Sequence, residues 1–195
     1  FMHEIFGMVA IVFLAIAYFT YIRSLWRGES KPHFFTWVIW TITTSITLAT
    51  QLAEHAGPGA WTTMISLVLL VGITIYAFFR GEKNFTHGDW VSLIAAAAAL
   101  VVWYFTDEAG YAAVIVTTID CLAYYPTFRK TWSRPYEENI TSYVVQGLKH
   151  GLACFALSNV TLATASYPSA LAATNLVFGG YGLWRRNKMR AIIPA

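Results

Sequence analysis

Seven long apolar runs place the strongest constraint on the fold of this 195-residue chain. They cover residues 4–22, 34–53, 61–79, 90–105, 110–128, 140–163 and 168–184. Each is close to the ~20 residues that a helix needs to cross roughly 30 Å of hydrocarbon. Because 57% of the residues are hydrophobic and only 12% are charged, the composition argues against a water-soluble domain. The sequence predicts one all-α integral membrane domain, residues 1–195, with seven transmembrane helices.

Lysine and arginine mark one side of the predicted membrane. Twelve of the 13 follow runs one, three, five and seven, whereas the other loops hold Glu54, Asp107 and Glu108. Because cationic loops stay in the cytoplasm, this pattern predicts the plasma membrane, an outside N-terminus and a cytoplasmic C-terminus. Lys149, inside the sixth run, is the one cation that this rule does not place.

The chain aligns with itself at a shift of about 106 residues. Among other pairs, Tyr18 meets Tyr124 and Trp37 meets Tyr143. The shift divides the chain into a first repeat at 4–83, a linker helix at 88–107 and a second repeat at 110–188. An arrangement of three, one and three helices gives two parallel repeats, and transporters built in this way bind their substrate at the midplane between the halves.

This arrangement resembles the SWEET sugar transporters and their PQ-loop relatives, which include nicotinamide riboside transporters, lysosomal amino-acid exporters and the KDEL receptor. The segment YYPTFRKTWSRPYEENITSYVVQGL, residues 124–148, carries the resemblance: a late helix proline, a basic loop and a Thr-Ser-Tyr helix start. Thr127 follows Pro126 where the relatives have glutamine, so the subfamily is left open. The resemblance implies transport by alternating access and a substrate contact from Asn175.

Three polar residues lie deep in the predicted helices. Counted at ~1.5 Å per residue from the basic loops, Asp120 lies at a depth of about 13 Å, and Lys149 and Asn175 at about 15 Å. An ionised side chain at this depth costs roughly 3 to more than 10 kcal/mol unless it is paired or hydrated. Two interpretations stay open: an Asp120–Lys149 ion pair that fixes a hairpin of helices five and six, or a water-filled cavity lined by both.

Polar stripes in the second helix of each repeat favour the cavity. The predicted substrate-binding residues are Lys149, Asn175, Gln146, Trp40, Thr43 and Thr47. Asp120 and His150 are candidates for proton coupling or an ion pair, although His150 is equally a candidate for a packing residue, and each threonine for a bond to its own helix. Gly147 and Gly151 form a small-xxx-small pair that predicts helix packing.

The function that these features favour is transport of a small polar or anionic metabolite through the midplane site, with proton coupling as an option. The alternative is a receptor or sensor on the same fold, like the KDEL receptor or, less favoured, a retinal protein with its Schiff base on Lys149. An enzyme is not expected, because His33, His55 and His87 are dispersed and no metal-ligand motif occurs. No metal, cofactor or nucleic acid is predicted. The expected partners are a small-molecule substrate and the lipid bilayer, and homo-oligomerisation is left open.

Two further motifs are predicted to carry no modification. Cys121 and Cys154 lie inside helices, where a disulfide is not expected. The N-x-[ST] sequons at Asn84 and Asn139 fall on the cytoplasmic side, and the sequon at Asn159 falls inside the sixth run. None of the three is assigned to glycosylation.

Overall fold

The structure is a computed structural model that describes residues 1–105 and 109–192. Within these residues the chain is all-α. Its helices are α1 (Met2–Trp26), α2 (Phe34–Ala53), α3 (Trp61–Arg80), α4 (His87–Phe105), α5 (Ala109–Leu122), α6 (Tyr125–Ser133), α7 (Ile140–Phe155) and α8 (Leu162–Ile192). Because α5 and α6 are separated by only two residues, they count as one interrupted helix. The predicted seven helical units are therefore present in the all-α fold.

The fifth predicted span is interrupted rather than continuous. Proline has no N–H group, and its ring collides with the carbonyl four residues earlier, so Pro126 disrupts the helix at Leu122. The last turn of α5 tightens, with the Tyr124 N–H donating to the Cys121 carbonyl at 3.2 Å. A new helical ladder then begins, in which the Phe128 N–H donates to the Tyr124 carbonyl at 2.8 Å.

The predicted bounds of the last two spans are wrong. α7 ends at Phe155 rather than at 163, and α8 begins at Leu162 rather than at 168. Thr161 and Thr164 start α8 reciprocally, because each hydroxyl oxygen accepts the backbone N–H of the other residue, at 3.2 and 3.0 Å. Pro168 lies inside α8 without ending it. Asn159 consequently lies in an exposed turn. The prediction that it lies inside a helix is wrong.

Two segments of the described chain are long and apolar enough to cross a membrane, Met2–Trp26 and Gly57–Arg80. The second joins α3 to the short 3-10 turn Gly57–Ala60 that precedes it. α5 and α7 contain 14 and 16 residues, which correspond to about 21 and 24 Å of helix. These two helices alone are shorter than the ~30 Å hydrocarbon core.

Helix packing follows the same order in both halves of the bundle. In the first half α3 contacts both α1 and α2, and in the second half α8 contacts both α5 and α7. The halves meet where α1 packs against α7 and α2 packs against α5, while α4 packs against α5 and α2. Both halves therefore place their first and second helices at the interface, where the aromatic core also lies.

The predicted small-residue pair on α7 is half correct. A Cβ atom added to Gly147 would lie 2.7 Å from the Leu176 side chain on α8, so a glycine is needed for this close approach. Gly151 has no such neighbour, since nothing lies within 4 Å of an added Cβ. Gly147 is thus a packing residue between α7 and α8, and Gly151 is not.

The loops that carry lysine and arginine meet at one end of the bundle, here called the basic end, formed by 27–33, 81–86, 134–139 and the end of α8. Its central contact is an ion pair between Lys130 and Glu138, which are 2% and 2% exposed. The Lys130 ammonium also donates to the Lys31 carbonyl. Tyr143 donates its hydroxyl to Glu138 at 3.3 Å. Burial raises the pKa of Glu138, and the Lys130 charge opposes that rise.

A second cluster at the basic end joins α2, α4 and α6. Arg129 forms a 3.0 Å ion pair with Asp89, and His33 lies 3.6 Å from the same carboxylate. Burial lowers the pKa of His33, and the charges of Arg129 and Lys130 act in the same direction, against the opposing Asp89. His33 is therefore held neutral next to a paired carboxylate. The charges of this end contact each other instead of being only solvated.

The opposite end of the bundle is held by backbone contacts between the two halves. Ser158 in the α7–α8 turn donates its N–H to the Ala56 carbonyl at 3.1 Å. Gly57 has a left-handed backbone, with a φ of 62°, and a Cβ atom there would collide with Ser158. These contacts bring the loop after α2 against the loop after α7.

Candidate functional site

A cavity of about 50 Å³ lies between the two halves and is lined by residues from α1, α2, α3, α5, α7 and α8. At ~10–15 Å³ for one water molecule, it can hold about four waters or a small solute. Of the eight residues predicted from the sequence, the structure brings six to its wall: Lys149, Asn175, Gln146, Trp40, Asp120 and His150. Residues that were separate in sequence therefore surround one space.

The other two predicted residues do not line the cavity. Thr43 lies behind Asp120 and donates its hydroxyl to the carboxylate. Thr47 is buried on α2 but does not line the cavity. Thr44, the residue after Thr43, lines it instead. The Thr44 hydroxyl lies 3.1 Å from the Tyr167 hydroxyl on α8. Because Thr43 and Thr44 are consecutive, about 100° of rotation around α2 separates the predicted side chain from the one that lines the cavity.

Asp120 is 1% exposed, and α5 positions it opposite α2. Its side chain accepts one hydrogen bond among the described residues, from Thr43. The Trp40 indole N–H donates to the backbone carbonyl of Asp120 at 3.3 Å and ties the two helices together. A carboxylate has about four acceptor positions, so most of its capacity is not used by the described residues.

Lys149 is also 1% exposed and has one side-chain partner among the described residues. Its ammonium donates to the Ser66 hydroxyl on α3 at 3.4 Å, near the upper limit for a hydrogen bond. An ammonium has three donors, and the described residues engage one of them. α7 therefore holds a poorly satisfied cation against the cavity.

Asp120 and Lys149 do not form the ion pair that a hairpin of helices five and six would produce. Within the described residues, neither is among the pairs with a nitrogen–oxygen distance of 4.0 Å or less. The reason is the order of the helices in space, because α8 packs against both α5 and α7 and lies between them. The two charges face one cavity from different walls.

The remaining predicted residues have local contacts. His150 packs edge-on against the Tyr167 ring, with a centroid distance of 5.5 Å. Asn175 donates its amide to the Leu171 carbonyl in the preceding turn at 2.8 Å. The Gln146 amide oxygen is buried and accepts no hydrogen bond from the described residues. Of these three side chains, Gln146 presents an acceptor without a partner.

Aromatic residues form much of the wall, and most were not predicted as site residues. Trp40, Tyr124 and Tyr143, here called the aromatic wall, have centroid distances of 4.7, 6.4 and 6.2 Å between their rings. The repeat itself was the signal that could have found them. All four residues of two aligned pairs line the cavity, Tyr18 with Tyr124 and Trp37 with Tyr143. Aligned positions thus lie at equivalent places in the two halves.

Tyr143 joins the cavity to the basic end, because its ring belongs to the aromatic wall and its hydroxyl donates to Glu138.

Across the described residues, no group of three or more His, Cys, Asp or Glu side chains could hold a metal ion. Cys121 and Cys154 are free thiols.

No protein-family model, curated protein or solved structure matches this chain.

Proposed function

We propose that the protein is a plasma-membrane transporter, with its N-terminus outside, which moves a small polar or anionic metabolite by alternating access. In this proposal seven helical units span the bilayer, and the two sets of three helices rock about the cavity between them. The observation that carries the proposal is the cavity itself, which is lined by a buried acidic and a buried basic side chain, Asp120 and Lys149, without an ion pair between them. Charges within the membrane typically mark substrate or ion pathways.

Two further observations support a membrane setting. α1 and the segment Gly57–Arg80 are long and apolar enough to span a bilayer, and cationic loops are collected at one end of the bundle. That end would face the cytoplasm. The likeness to the SWEET and PQ-loop proteins is part of the proposal, and it rests on the order of the helices and on the segment 124–148. Coupling to protons through Asp120 or His150 would be an addition to the same mechanism.

A receptor or sensor is the second candidate, because the same cavity could bind a ligand without carrying it across. The contacts between Ser158 and Ala56 at one end, and around Lys130 at the other, connect the halves on both sides of the cavity. The retinal variant stays the less favoured form of this candidate.

Accessibility of the cavity from both sides of the membrane distinguishes the two candidates. Thr44→Cys places a thiol in the cavity, and Ser45→Cys places one on the exposed side of the same helix. Cys121 and Cys154 are first replaced by serine. A transporter should let a membrane-impermeant thiol reagent modify position 44 from either side of oriented vesicles, while position 45 stays protected by lipid. Modification of position 44 from one side only would favour the receptor.

A further inference from the structure

We infer that the ligand of the cavity is a small zwitterion, whose ammonium group lies against Asp120 and the aromatic wall while its acid group binds Lys149. The inference rests on the proposed function, because it names the class of solute that the transporter would move. It follows from the unused hydrogen-bonding capacity of the two charged side chains and from the aromatic surface near one of them.

The Asp120 side of the cavity suits a cation. The carboxylate has one described hydrogen-bond donor, Thr43, and no Lys or Arg nitrogen of the described residues forms an ion pair with it. Trp40 donates to the Asp120 carbonyl at 3.3 Å, so the aromatic wall begins directly beside the acid. Aromatic faces attract ammonium groups, most strongly where water is excluded. The Asp120 carboxylate and the aromatic wall therefore line the same cavity, and both are groups that can bind an ammonium ion.

The Lys149 side suits an anion. The ammonium makes one long hydrogen bond, to Ser66, and none of the described carboxylates pairs with it. A ligand carboxylate could accept the donors that Ser66 does not engage. His150 is the next residue on the same helix and also lines the cavity, so its imidazole N–H is a second nitrogen donor in the cavity wall.

Charge balance selects between solute classes. A neutral sugar would leave both Asp120 and Lys149 without a charged partner, and an anion alone would leave Asp120 without one. A cation alone would leave Lys149 unpaired in the same way. Unpaired buried charges are strongly unfavourable, so a ligand that neutralises both has the largest advantage.

The test is a titration series on the full-length chain purified in detergent. The zwitterionic probes are glycine, β-alanine and γ-aminobutyrate, which separate the two charges by increasing lengths. Butylamine and butyrate are the matched probes with a single charge, and glucose and uridine are the neutral ones. Isothermal titration calorimetry should give at least tenfold tighter binding of one zwitterion than of either single-charge probe. This comparison uses the wild type alone and does not depend on whether any variant folds.

Two near-isosteric variants then assign each end of the ligand. Asp120→Asn should weaken binding of the zwitterion at least tenfold and leave binding of butyrate unchanged or tighter. Lys149→Gln should also weaken binding of the zwitterion at least tenfold, but leave binding of butylamine unchanged or tighter. Tighter binding of glucose or uridine than of every zwitterion, retained in Asp120→Asn, would overturn the inference and leave the proposed transporter standing. Absence of zwitterion binding would also overturn it wherever Thr44→Cys is modified from both sides. Modification from one side only would instead count against transport itself.

Discussion

Lys130 at the basic end and Lys149 in the cavity are both almost fully buried, with exposures of 2% and 1%, but their surroundings differ. Lys130 pairs with Glu138 and donates to the Lys31 carbonyl, and Tyr143 donates a further hydrogen bond to the carboxylate. Lys149 has a single long contact with Ser66. The first lysine has partners within the protein, and the second faces a cavity between the two halves.

The comparison separates two reasons for burying a charge. A buried ion pair with further hydrogen bonds compensates for lost hydration and fixes the elements that carry it, which here are α6 and the loop before α7. A buried charge with little compensation persists where function requires it, commonly at substrate or ion pathways. Burial alone therefore does not mark a functional residue, and the proposal for Lys149 rests on burial together with the unused hydrogen-bonding capacity of a charged side chain.

The largest effect is expected from breaking the pair at the basic end. Lys130→Met leaves the Glu138 carboxylate buried without its cation, and removal of one partner of such a pair typically costs about 3–5 kcal/mol. Unfolding in mixed micelles should show a loss of that size. The double variant Lys130→Met with Glu138→Gln should recover part of it, because no unpaired charge remains. A single variant as stable as the wild type would show that the pair does not hold this end together.

Much of this contrast lies beyond sequence reasoning. Lys149 was recognised because it interrupts an apolar run, which is a local signal, and the 3.6-residue period placed Gln146 and His150 on the same side. Lys130 was assigned only to the basic loop after the fifth run. Its pairing was not predicted, because its partner Glu138 comes from another element and no pattern relates the two. An Asp120–Lys149 ion pair was one of the two interpretations left open, because their helices follow each other in the chain, but the insertion of α8 between α5 and α7 is decided by packing.

The ends of the helices were also only partly predictable from the sequence. Hydropathy located α2 and α3 closely, yet it extended the sixth span to 163, because residues 156–161 are apolar enough to continue it. The turn is specified instead by the hydroxyls of Thr161 and Thr164, which cap α8. Thr43 and Thr44 could not be distinguished either, since one residue of rotation decides which of them faces the cavity.

The pH dependence of stability should include a contribution from His33 at the basic end. His33 is kept neutral in the fold because burial lowers its pKa below the usual value of 6.5. The unfolded chain takes up the proton first, so the free energy of unfolding should fall as the pH drops below about 6.5. His33→Gln should show a smaller fall between about pH 7.5 and pH 5.5. An unchanged pH profile in this variant would mean that His33 does not titrate with folding.

The hydroxyl of Tyr143 links the two regions, and its removal should have a moderate effect. Tyr143→Phe leaves the ring in the aromatic wall but takes one donor from Glu138, which should cost about 0.5–1.5 kcal/mol. Tyr21→Phe is the matched control, because the Tyr21 hydroxyl is buried without a partner among the described residues. The midpoint temperature of thermal unfolding should therefore fall in Tyr143→Phe and stay unchanged or rise in Tyr21→Phe. The same change in both variants would contradict a stabilising hydrogen bond from Tyr143 to Glu138.

The smallest change in stability is expected for Lys149→Met. Its ammonium loses only the 3.4 Å contact with Ser66, and removing a poorly compensated charge offsets that loss, so the free energy of unfolding should change by less than about 1 kcal/mol or increase. Ser66→Ala controls for the lost contact. Ligand-induced thermal stabilisation of the wild type should be absent from Lys149→Met, because bound ligand stabilises only a protein that retains its site. If Lys149→Met instead loses as much stability as Lys130→Met, both lysines are structural, and the transporter proposal loses the residue on which it most depends.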